Sequence, residues 1–420
     1  MDRRHFLAAA AAGVSVSVAG CVDAFESLEG TTYGREPPLV SNRPNAIYWP
    51  THTEQMYHGE VAQTSDGLDV HLMYTFPHRF WQVESTDEGY GARIFEVGPN
   101  DAIHIMIGVW DHETEVILPV SSLDVAVTGG NDIDERETIY PMLSQRMGFH
   151  YGDNYHLDGD DTYTVEVTVG GVDSNRFGDF EGRFEQAETV TMELDYDEAE
   201  RNNLDFELYE DRQGERGAVA PMGMEDGDMD HGEMDEMDHE EMDHHDMHHQ
   251  MPLGFAHDLS DAGGSPMGDG LADDIRYQAA LFDEPRFGDD PYLAVTAATR
   301  YNDLSIPELG LDIRVGPAEG TETVELPVES DEDEDDDDET EDGASTVQSR
   351  EISVVTPEDA VLAGRLEPGL DPELGFHYGI AAPEITGNES VTLEVTTPTQ
   401  FVRHEGYETV FFHTPTVTLE

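Results

Sequence analysis

The chain has 420 residues, of which 93 are Asp or Glu and 20 are basic, giving a formal net charge of −73. All of the basic residues are arginines, and so acidic a surface repels phosphate, which disfavours nucleic-acid binding. Self-repulsion of this size weakens a compact fold in dilute salt, so the composition predicts adaptation to a hypersaline medium that screens charges. The alternative, an acidic surface that meets a cationic partner, fits less well because the excess is spread over the whole chain.

The first 21 residues have the pattern of an export signal. The pair Arg3-Arg4 precedes Phe6-Leu7, an apolar run over 8–19 and then Gly20-Cys21. This order is typical of a twin-arginine signal that ends in a lipobox, and the apolar run is too short to span a bilayer as an ordinary helix. We therefore predict that Cys21 is lipidated and anchors the protein on the extracytoplasmic face of the cell membrane. Because Cys21 is the only cysteine, disulfides and thiolate metal sites are excluded.

The rest of the chain divides into two predicted domains. Residues 22–44 have the composition of a tether, and residues 45–200 form the first domain. Within it, the segments 68–75, 102–109 and 190–195 alternate with period two, which is typical of β-strands. Residues 201–260 are a predicted linker, and residues 261–420 form the second domain, interrupted by a solvated acidic loop over 329–342.

An internal repeat relates the two domains. The pentapeptide Gly-Phe-His-Tyr-Gly occurs at 148–152 and again at 375–379. Similar strand-like segments follow the two copies at 163–169 and 391–397, and further pair-wise similarity precedes them. Many short strands with almost no helical periodicity predict an all-β fold, with two β-sandwich domains that arose by duplication.

A segment rich in methionine, histidine and acid separates the domains. Residues 222–251 contain six histidines and eight methionines, a composition that cannot build a core and predicts disorder without a ligand. We interpret it as a collector for copper or iron that weakens below about pH 6, where imidazole protonates. The alternative is an acidic linker that happens to be histidine-rich. The candidate ligands are Met229, His231, Met234, Met237, His239, Met242, His244, His245, Met247, His248 and His249.

Histidine beside methionine also recurs within the first domain. His71 and Met73 share one face of a predicted strand, and Met142 and Met147 precede His150. Imidazole and thioether together suit copper and tolerate ferrous iron, whereas calcium and magnesium prefer oxygen ligands. Each residue also has an ordinary alternative, a methionine in the core or a polar histidine in a turn. The chain carries no nucleophile elbow, phosphate loop or dinucleotide fingerprint, so we expect no enzymatic activity.

One region resembles a known family. Pro141-Met142, a short spacer and the Gly-Phe-His-Tyr-Gly-Asp-Asn sequence at 148–154 resemble the signature of the periplasmic iron-transport proteins and related pathogen membrane antigens. The segment 69–73 resembles the Ile-His-Leu-Glu strand of that family. The resemblance implies immunoglobulin-like β-sandwiches that dimerise, bind copper or another divalent metal, and supply a membrane permease with ferrous iron. It also implies that His71, Met142 and His150 are metal ligands.

This chain departs from the family pattern in ways that suggest a composite site. Met73 replaces a glutamate, which softens the site, and the longer spacer lets Met147 compete with Met142. The second copy keeps His377 and adds a late histidine, His404, which the first copy lacks. We therefore hypothesise that the two domains pack as a pseudo-dimer in place of the family's homodimer. One site would then combine His71, Met73 and His150 with His404; alternatively, the second domain has lost metal binding and kept the fold.

Taken together, the sequence predicts a membrane-anchored, extracytoplasmic protein of ferrous-iron uptake. The protein would bind Fe2+, and its metal site would also accept copper, as Cu+ or Cu2+. Its partner would be a membrane iron permease. Two alternatives remain open. One is a lipoprotein that sequesters or chaperones copper, and the other is a surface scaffold or adhesion β-sandwich with incidental histidines.

Overall fold

The computed structural model describes residues 37–86, 89–130, 133–224, 251–327 and 347–420. The predicted export signal with Cys21, the candidate ligands between 229 and 249 and the acidic loop at 329–342 lie outside the described residues. Within the described ranges, no helix combines the length and apolar character that crossing a membrane requires.

Strands dominate the first half of the chain, residues 37–224, where the only α-helix in the described ranges is a short one, α1 (Glu198–Asn202). The strands are β1 (His52–Glu54), β2 (Tyr57–Gln63), β3 (Leu68–Thr75), β4 (Phe80–Thr86), β5 (Gly89–Phe95), β6 (Asp101–Asp111), β7 (Leu123–Gly129), β8 (Ile133–Thr138), β9 (Tyr140–Ser144), β10 (Gly148–His156), β11 (Asp161–Val169), β12 (Asn175–Arg176), β13 (Glu188–Tyr196) and β14 (Phe206–Leu208).

The second half, residues 251–420, is likewise built from strands. They are β15 (Ser265–Ala272), β16 (Ile275–Phe282), β17 (Tyr292–Thr299), β18 (Gly310–Gly316), β19 (Gly320–Pro327), β20 (Val347–Val354), β21 (Leu362–Arg365), β22 (Glu367–Asp371), β23 (Gly375–Ala381), β24 (Ser390–Thr397), β25 (Val402–Arg403) and β26 (Thr416–Leu419). Two single 3-10 turns, Gly178–Phe180 and Pro285–Phe287, complete the described secondary structure.

Each half contains two main sheets. The first half has an eight-stranded sheet in the order β2-β3-β6-β10-β9-β25-β4-β5 and a four-stranded sheet in the order β13-β11-β7-β8. The second half has sheets in the orders β12-β22-β23-β17-β16-β15 and β21-β18-β24-β26. Apolar residues from facing sheets, such as Leu72 and Val165, belong to one buried cluster. The all-β prediction with two structural regions is therefore confirmed, and β3 has the predicted bounds.

The two halves exchange short strands. β25 from the second half lies in the large sheet of the first, where Val402 pairs in parallel with Met142. β12 from the first half does the reverse, and Asn175 pairs in parallel with Gly369. The register makes Asn175 the counterpart of Val402, and Gly369 the counterpart of Met142. This reciprocal insertion gives the chain the arrangement of a dimer within one polypeptide, and a single apolar cluster runs through both halves.

Arg403 anchors the exchanged strand β25. Its side chain is fully buried and donates hydrogen bonds to the carbonyl oxygens of Phe401, Thr399 and Phe411. A buried guanidinium is tolerated only when its donors find acceptors, and here backbone carbonyls supply them. The next residue, His404, is thereby held at the edge of β9 in the first half.

The described parts of the predicted tether and linker pack against the rest of the molecule. Arg43, within 22–44, forms an ion pair with Glu408 at 2.8 Å. Within 201–260, β14 pairs with β1, and the amide of Met222 donates to the carbonyl of Arg146. Backbone groups in these segments thus form hydrogen bonds with the folded part of the molecule. The polar composition of the segments gave no indication of these contacts.

Candidate metal centre

Four histidines converge at the seam between the two halves. Ring nitrogens of His78, His104 and His404 all lie within 4.8 Å of one another. The ring of His150 is centred 5.2 Å from that of His404. We call these four residues the histidine cluster.

Each member of the cluster comes from a different element. His104 lies in β6 and His150 in the neighbouring strand β10. His78 lies in the connection between β3 and β4, and His404 directly follows β25, so it is the contribution of the second half. The cluster therefore exists only because the two halves exchange strands.

The Nε2 atoms of His78, His104, His150 and His404 are buried, and none has a hydrogen-bond partner in the described parts of the chain. Leaving one buried polar atom unpaired costs about 1–3 kcal/mol, and four such atoms in one place require an explanation. A cation bound between His78, His104 and His404, with His150 beside them, would give these nitrogens a partner.

The opposite ring nitrogens are held in place. His104 Nδ1 lies 2.9 Å from Asn154 Oδ1, and His150 Nδ1 lies 3.0 Å from the carbonyl oxygen of Gly148. Both oxygens are acceptors, so each Nδ1 carries the proton and each Nε2 presents a lone pair. His78 Nδ1 faces Glu54 Oε2 at 3.8 Å. Such outer contacts are what orient metal-ligating imidazoles.

Asn154, the last residue of the repeated motif region, is one of these supports. Its side-chain amide also donates to the carbonyl oxygen of His78 at 2.9 Å, so it ties together two members of the cluster. We expect Asn154→Ala to weaken metal binding by about 10- to 100-fold, the usual cost of losing an outer-shell partner. Competitive metal titration measures this, with Asn388→Ala, an exposed asparagine remote from the cluster, as control. Unchanged affinity in Asn154→Ala would show that Asn154 does not orient the imidazoles.

A methionine sulfur adjoins the cluster above a glycine. A Cβ atom on Gly152 would lie 2.7 Å from His104 Nε2 and 3.0 Å from Met142 Sδ. The nitrogen and the sulfur therefore both approach the Cα atom of Gly152 in β10. A side chain at this position would occupy the space that they fill. Met142 also pairs directly with His150 across β9 and β10, and cross-strand partners share a face of the sheet. The thioether of Met142 is thus the fifth candidate ligand.

The cluster opens into a cleft of about 120 Å3. Met56, Met106 and Met147 contribute thioethers to its lining, so Met147 lies beside the cleft whereas Met142 approaches the imidazoles. Besides members of the histidine cluster, the charged and titratable residues at its wall are His52, Glu54, Arg79, Arg146 and Glu405. Burial raises the pKa of the Glu54 carboxyl, but a hydrogen bond from His52 and the nearby imidazole of His78 outweigh that effect and bring the pKa to about 2. Glu54 is therefore an anion that favours a cation in the cleft.

Burial also keeps His104, His150 and His404 neutral. It lowers the pKa of His150 to about 4 and the pKa of His104 and His404 well below the usual value, and neighbouring imidazoles add to the effect. Neutral imidazole is the form that binds metals. The lone pairs are therefore available across the neutral pH range.

The composite set hypothesised from the sequence is corrected by this geometry. His150 and His404 do lie together, but His71 and Met73 are not part of the cluster. His71 pairs with Gly108 and Met73 with Met106 across β3 and β6, on the far side of β6 from His150. The strand histidine of the cluster is instead His104, one strand nearer. Sequence reasoning missed His104 and His78; the segment 102–109 was a predicted strand, but its histidine was not singled out.

The repeated motif of the second half occupies the equivalent position without forming such a cluster. The register of β17 and β23 makes Tyr292 the counterpart of His104, and Ala381 the counterpart of Asn154. Phe177, which follows β12, is the counterpart of His404 and stacks on His377. The hydroxyl of Tyr292 lies 3.2 Å from His377 Nε2, and His377 Nδ1 lies 3.2 Å from the carbonyl oxygen of Gly375. Both nitrogens of His377, a predicted ligand, are thus engaged by protein atoms.

His377 gives a pH-dependent stability. Burial lowers its pKa to about 4 in the folded protein, so the unfolded chain takes up the proton first as the pH falls from 6.5. The stabilisation is complete above pH 6.5 and is lost as the pH falls to about 4. A shift from 6.5 to about 4 corresponds to about 3 kcal/mol at 1.36 kcal/mol per pKa unit.

We therefore expect His377→Phe to remove about 3 kcal/mol of pH dependence from the free energy of unfolding in this pH window. Urea unfolding at constant high salt, compared between wild type and variant at each pH, measures the difference. His257→Phe, at an exposed side chain, is the control. If the free energy of unfolding had the same pH dependence in wild type and in His377→Phe, the prediction would be contradicted.

The fold and the cluster define a two-part β-sandwich protein with a buried imidazole and thioether centre at the seam of its halves. Residues 260–337 and 346–420 match a family described as a domain of unknown function, DUF7350. No curated protein matches the chain. Two solved structures of FetP from uropathogenic Escherichia coli strain F11 are similar over 34% of this chain and 97% of theirs. They are a copper-bound variant at 18% identity and the as-isolated protein, recombinantly expressed in the periplasm, at 19%, both with a TM-score of 0.26.

Proposed function

We propose that the protein binds one copper ion in the histidine cluster, with Met142 as a sulfur ligand. The observation that carries the proposal is the convergence of ring nitrogens from His78, His104 and His404, with the unpartnered imidazole nitrogen of His150 and the thioether of Met142 beside them. Among the first-row metals, copper is the one best suited to a site that combines imidazole with thioether. The thioether in particular favours Cu(I). Calcium and magnesium require a cage of oxygen atoms, which this donor set does not provide.

We further propose that the copper is held for storage or transfer and not for catalysis. Four imidazoles and a thioether are enough to complete the coordination of the ion, whereas catalytic metal sites keep a position open for water or substrate. The supply of ferrous iron to a membrane permease, which the family resemblance implies, remains a prediction. The sulfur ligand favours copper over iron at this centre.

The cellular setting in this proposal comes from the sequence. A lipid on Cys21 would hold the protein on the extracytoplasmic face of a membrane, and the acidic surface would suit concentrated salt. The Met/His-rich segment at 222–251 would collect copper and raise its local concentration near the histidine cluster.

A comparison of metals on the full chain tests the proposal. Purified protein is titrated in multimolar salt with Cu(I), Cu(II) and Fe(II), each in competition with a chelator, beside the double variant His104→Ala/His150→Ala. The variant retains the Met/His-rich segment, so the difference between the two proteins reports on the cluster alone. We expect one tightly held copper that the variant lacks. Equal copper retention by both proteins, or tighter binding of iron than of copper, would overturn the proposal.

A further inference from the structure

A second group of histidine and methionine side chains lies on the same sheet face, across β6 from His150. His71 pairs directly with Gly108, so the two residues occupy neighbouring positions on one face. Gly108 has no side chain, and the thioether of Met251 fills that place: a Cβ atom on Gly108 would lie 2.2 Å from Met251 Sδ. The sulfur therefore lies beside the imidazole of His71.

A second imidazole completes the group. The ring of His58, in β2, stacks on that of His71 with centroids 5.4 Å apart. The ring of Trp110 meets His71 edge-on at 6.0 Å and closes the group from the β6 side. His71 and Met251 are almost completely buried, and His58 is half-buried, so the group is enclosed but has one side near solvent.

We propose that His58, His71 and Met251 form a second binding site, for a soft monovalent cation, with Cu(I) as the ion of matching chemistry. Two imidazole nitrogens and one thioether sulfur are a donor set that a soft d10 cation accepts with few ligands. Met73, which pairs with His58 across β2 and β3, supplies another thioether on the same face.

This site is separate from the histidine cluster. β3, which carries His71, and β10, which carries His150, flank β6 on opposite sides, so the two centres are about 10 Å apart at the usual strand spacing. Each site depends on its own side chains, and either can bind without the other. If both bind, their proximity gives a short path along which Cu(I) can pass between thioether and imidazole ligands.

Residue-resolved NMR on the full chain tests the site directly. Methionine is labelled with 13C at the ε-methyl group, and the Met251 signal is identified by its loss in Met251→Leu. Cu(I), which is diamagnetic, is added without oxygen. We expect the Met251 signal to move on addition of Cu(I) in the wild type and also in His104→Ala/His404→Ala, which lacks the histidine cluster.

Aromatic replacements separate metal binding from packing. His71→Phe retains an aromatic ring but removes the ring nitrogens, so it should abolish the shift of the Met251 signal. His58→Phe makes the same replacement at a half-buried position, and it should also abolish the shift. It therefore provides the test if His71→Phe does not fold. A Met251 signal that stays in place at excess Cu(I), or that moves only when the histidine cluster is intact, would overturn the proposal. So would a shift that persists in His58→Phe. The histidine cluster is read separately, from the Met142 signal.

Discussion

Replacing His404 by alanine should lower the copper affinity of the protein by more than about 100-fold, which exceeds the usual cost of losing an outer-shell partner. His404 belongs to the second half of the chain, whereas His78, His104 and His150 belong to the first. Its Nε2 is buried with no hydrogen-bond partner in the described residues, so its removal breaks no protein contact at that atom. The loss should therefore appear in metal binding and much less in stability.

His377→Ala is the matched control, because His377 is the histidine of the repeated motif in the half that lacks a cluster. Its nitrogens already contact Tyr292 and Gly375, so its loss should leave copper affinity unchanged while it lowers stability. Competitive titration with Cu(I) and urea unfolding of the metal-free proteins provide the two readouts. If His377→Ala lost copper as severely as His404→Ala, the centre would not lie at the seam we describe.

The fold was largely predictable because it depends on alternation and repetition. Period-two segments gave the strand at 68–75 its correct bounds, and the repeated Gly-Phe-His-Tyr-Gly placed β10 and β23 in equivalent positions. The exchange of β12 and β25 was not predictable from pattern, because each is only two residues long. Pairing in parallel with a distant strand leaves no local signal in so short a segment.

The candidate site was predictable only in part, for a related reason. His150, Met142 and His404 stood in motifs, whereas His78 stands in a connection that no motif marks. His104 carried a usable signal, since Ile-His-Ile-Met at 103–106 matches the Ile-His-Leu-Glu pattern as well as the segment around His71 does. Two strands with the same local pattern cannot be told apart until their order in the sheet is known. The order decides, because β6 and not β3 is the neighbour of β10.

The register of the repeat explains why one centre exists and not two. At the positions equivalent to His104, Met142 and His404, the sheet that contains β23 carries Tyr292, Gly369 and Phe177, and the first half contributes Phe177 through β12. Aromatic rings thus occupy the positions that imidazoles occupy in the histidine cluster. His377 is retained there as a buried residue that is hydrogen-bonded to protein atoms. The second half supplies fold and one ligand, while the first half supplies the others.

Arg403→Met is expected to destabilise the protein by about 3 kcal/mol, because it leaves buried backbone carbonyl oxygens without their donor. Methionine keeps much of the apolar volume of the side chain, so the loss isolates the hydrogen bonds to the carbonyl oxygens of Thr399, Phe401 and Phe411. Three buried acceptors would lose their donor, and each unsatisfied group costs about 1–3 kcal/mol. Urea unfolding of the metal-free protein at constant salt measures the effect.

The same substitution should also weaken copper binding, because Arg403 fixes the segment that ends in His404. Arg176 is the register counterpart of Arg403 in β12, but its side chain is partly exposed and lies beside the half without a cluster. Arg176→Met removes a hydrogen bond to the carbonyl oxygen of Val172 and an ion pair with Glu185, so it should cost about 1–2 kcal/mol, less than Arg403→Met, and leave copper affinity unchanged. Equal destabilisation by the two variants would mean that the two exchanged strands contribute alike. If Arg403→Met lost stability but kept its copper affinity, Arg403 would not be needed to position His404. The seam between the halves would then not determine the position of that ligand.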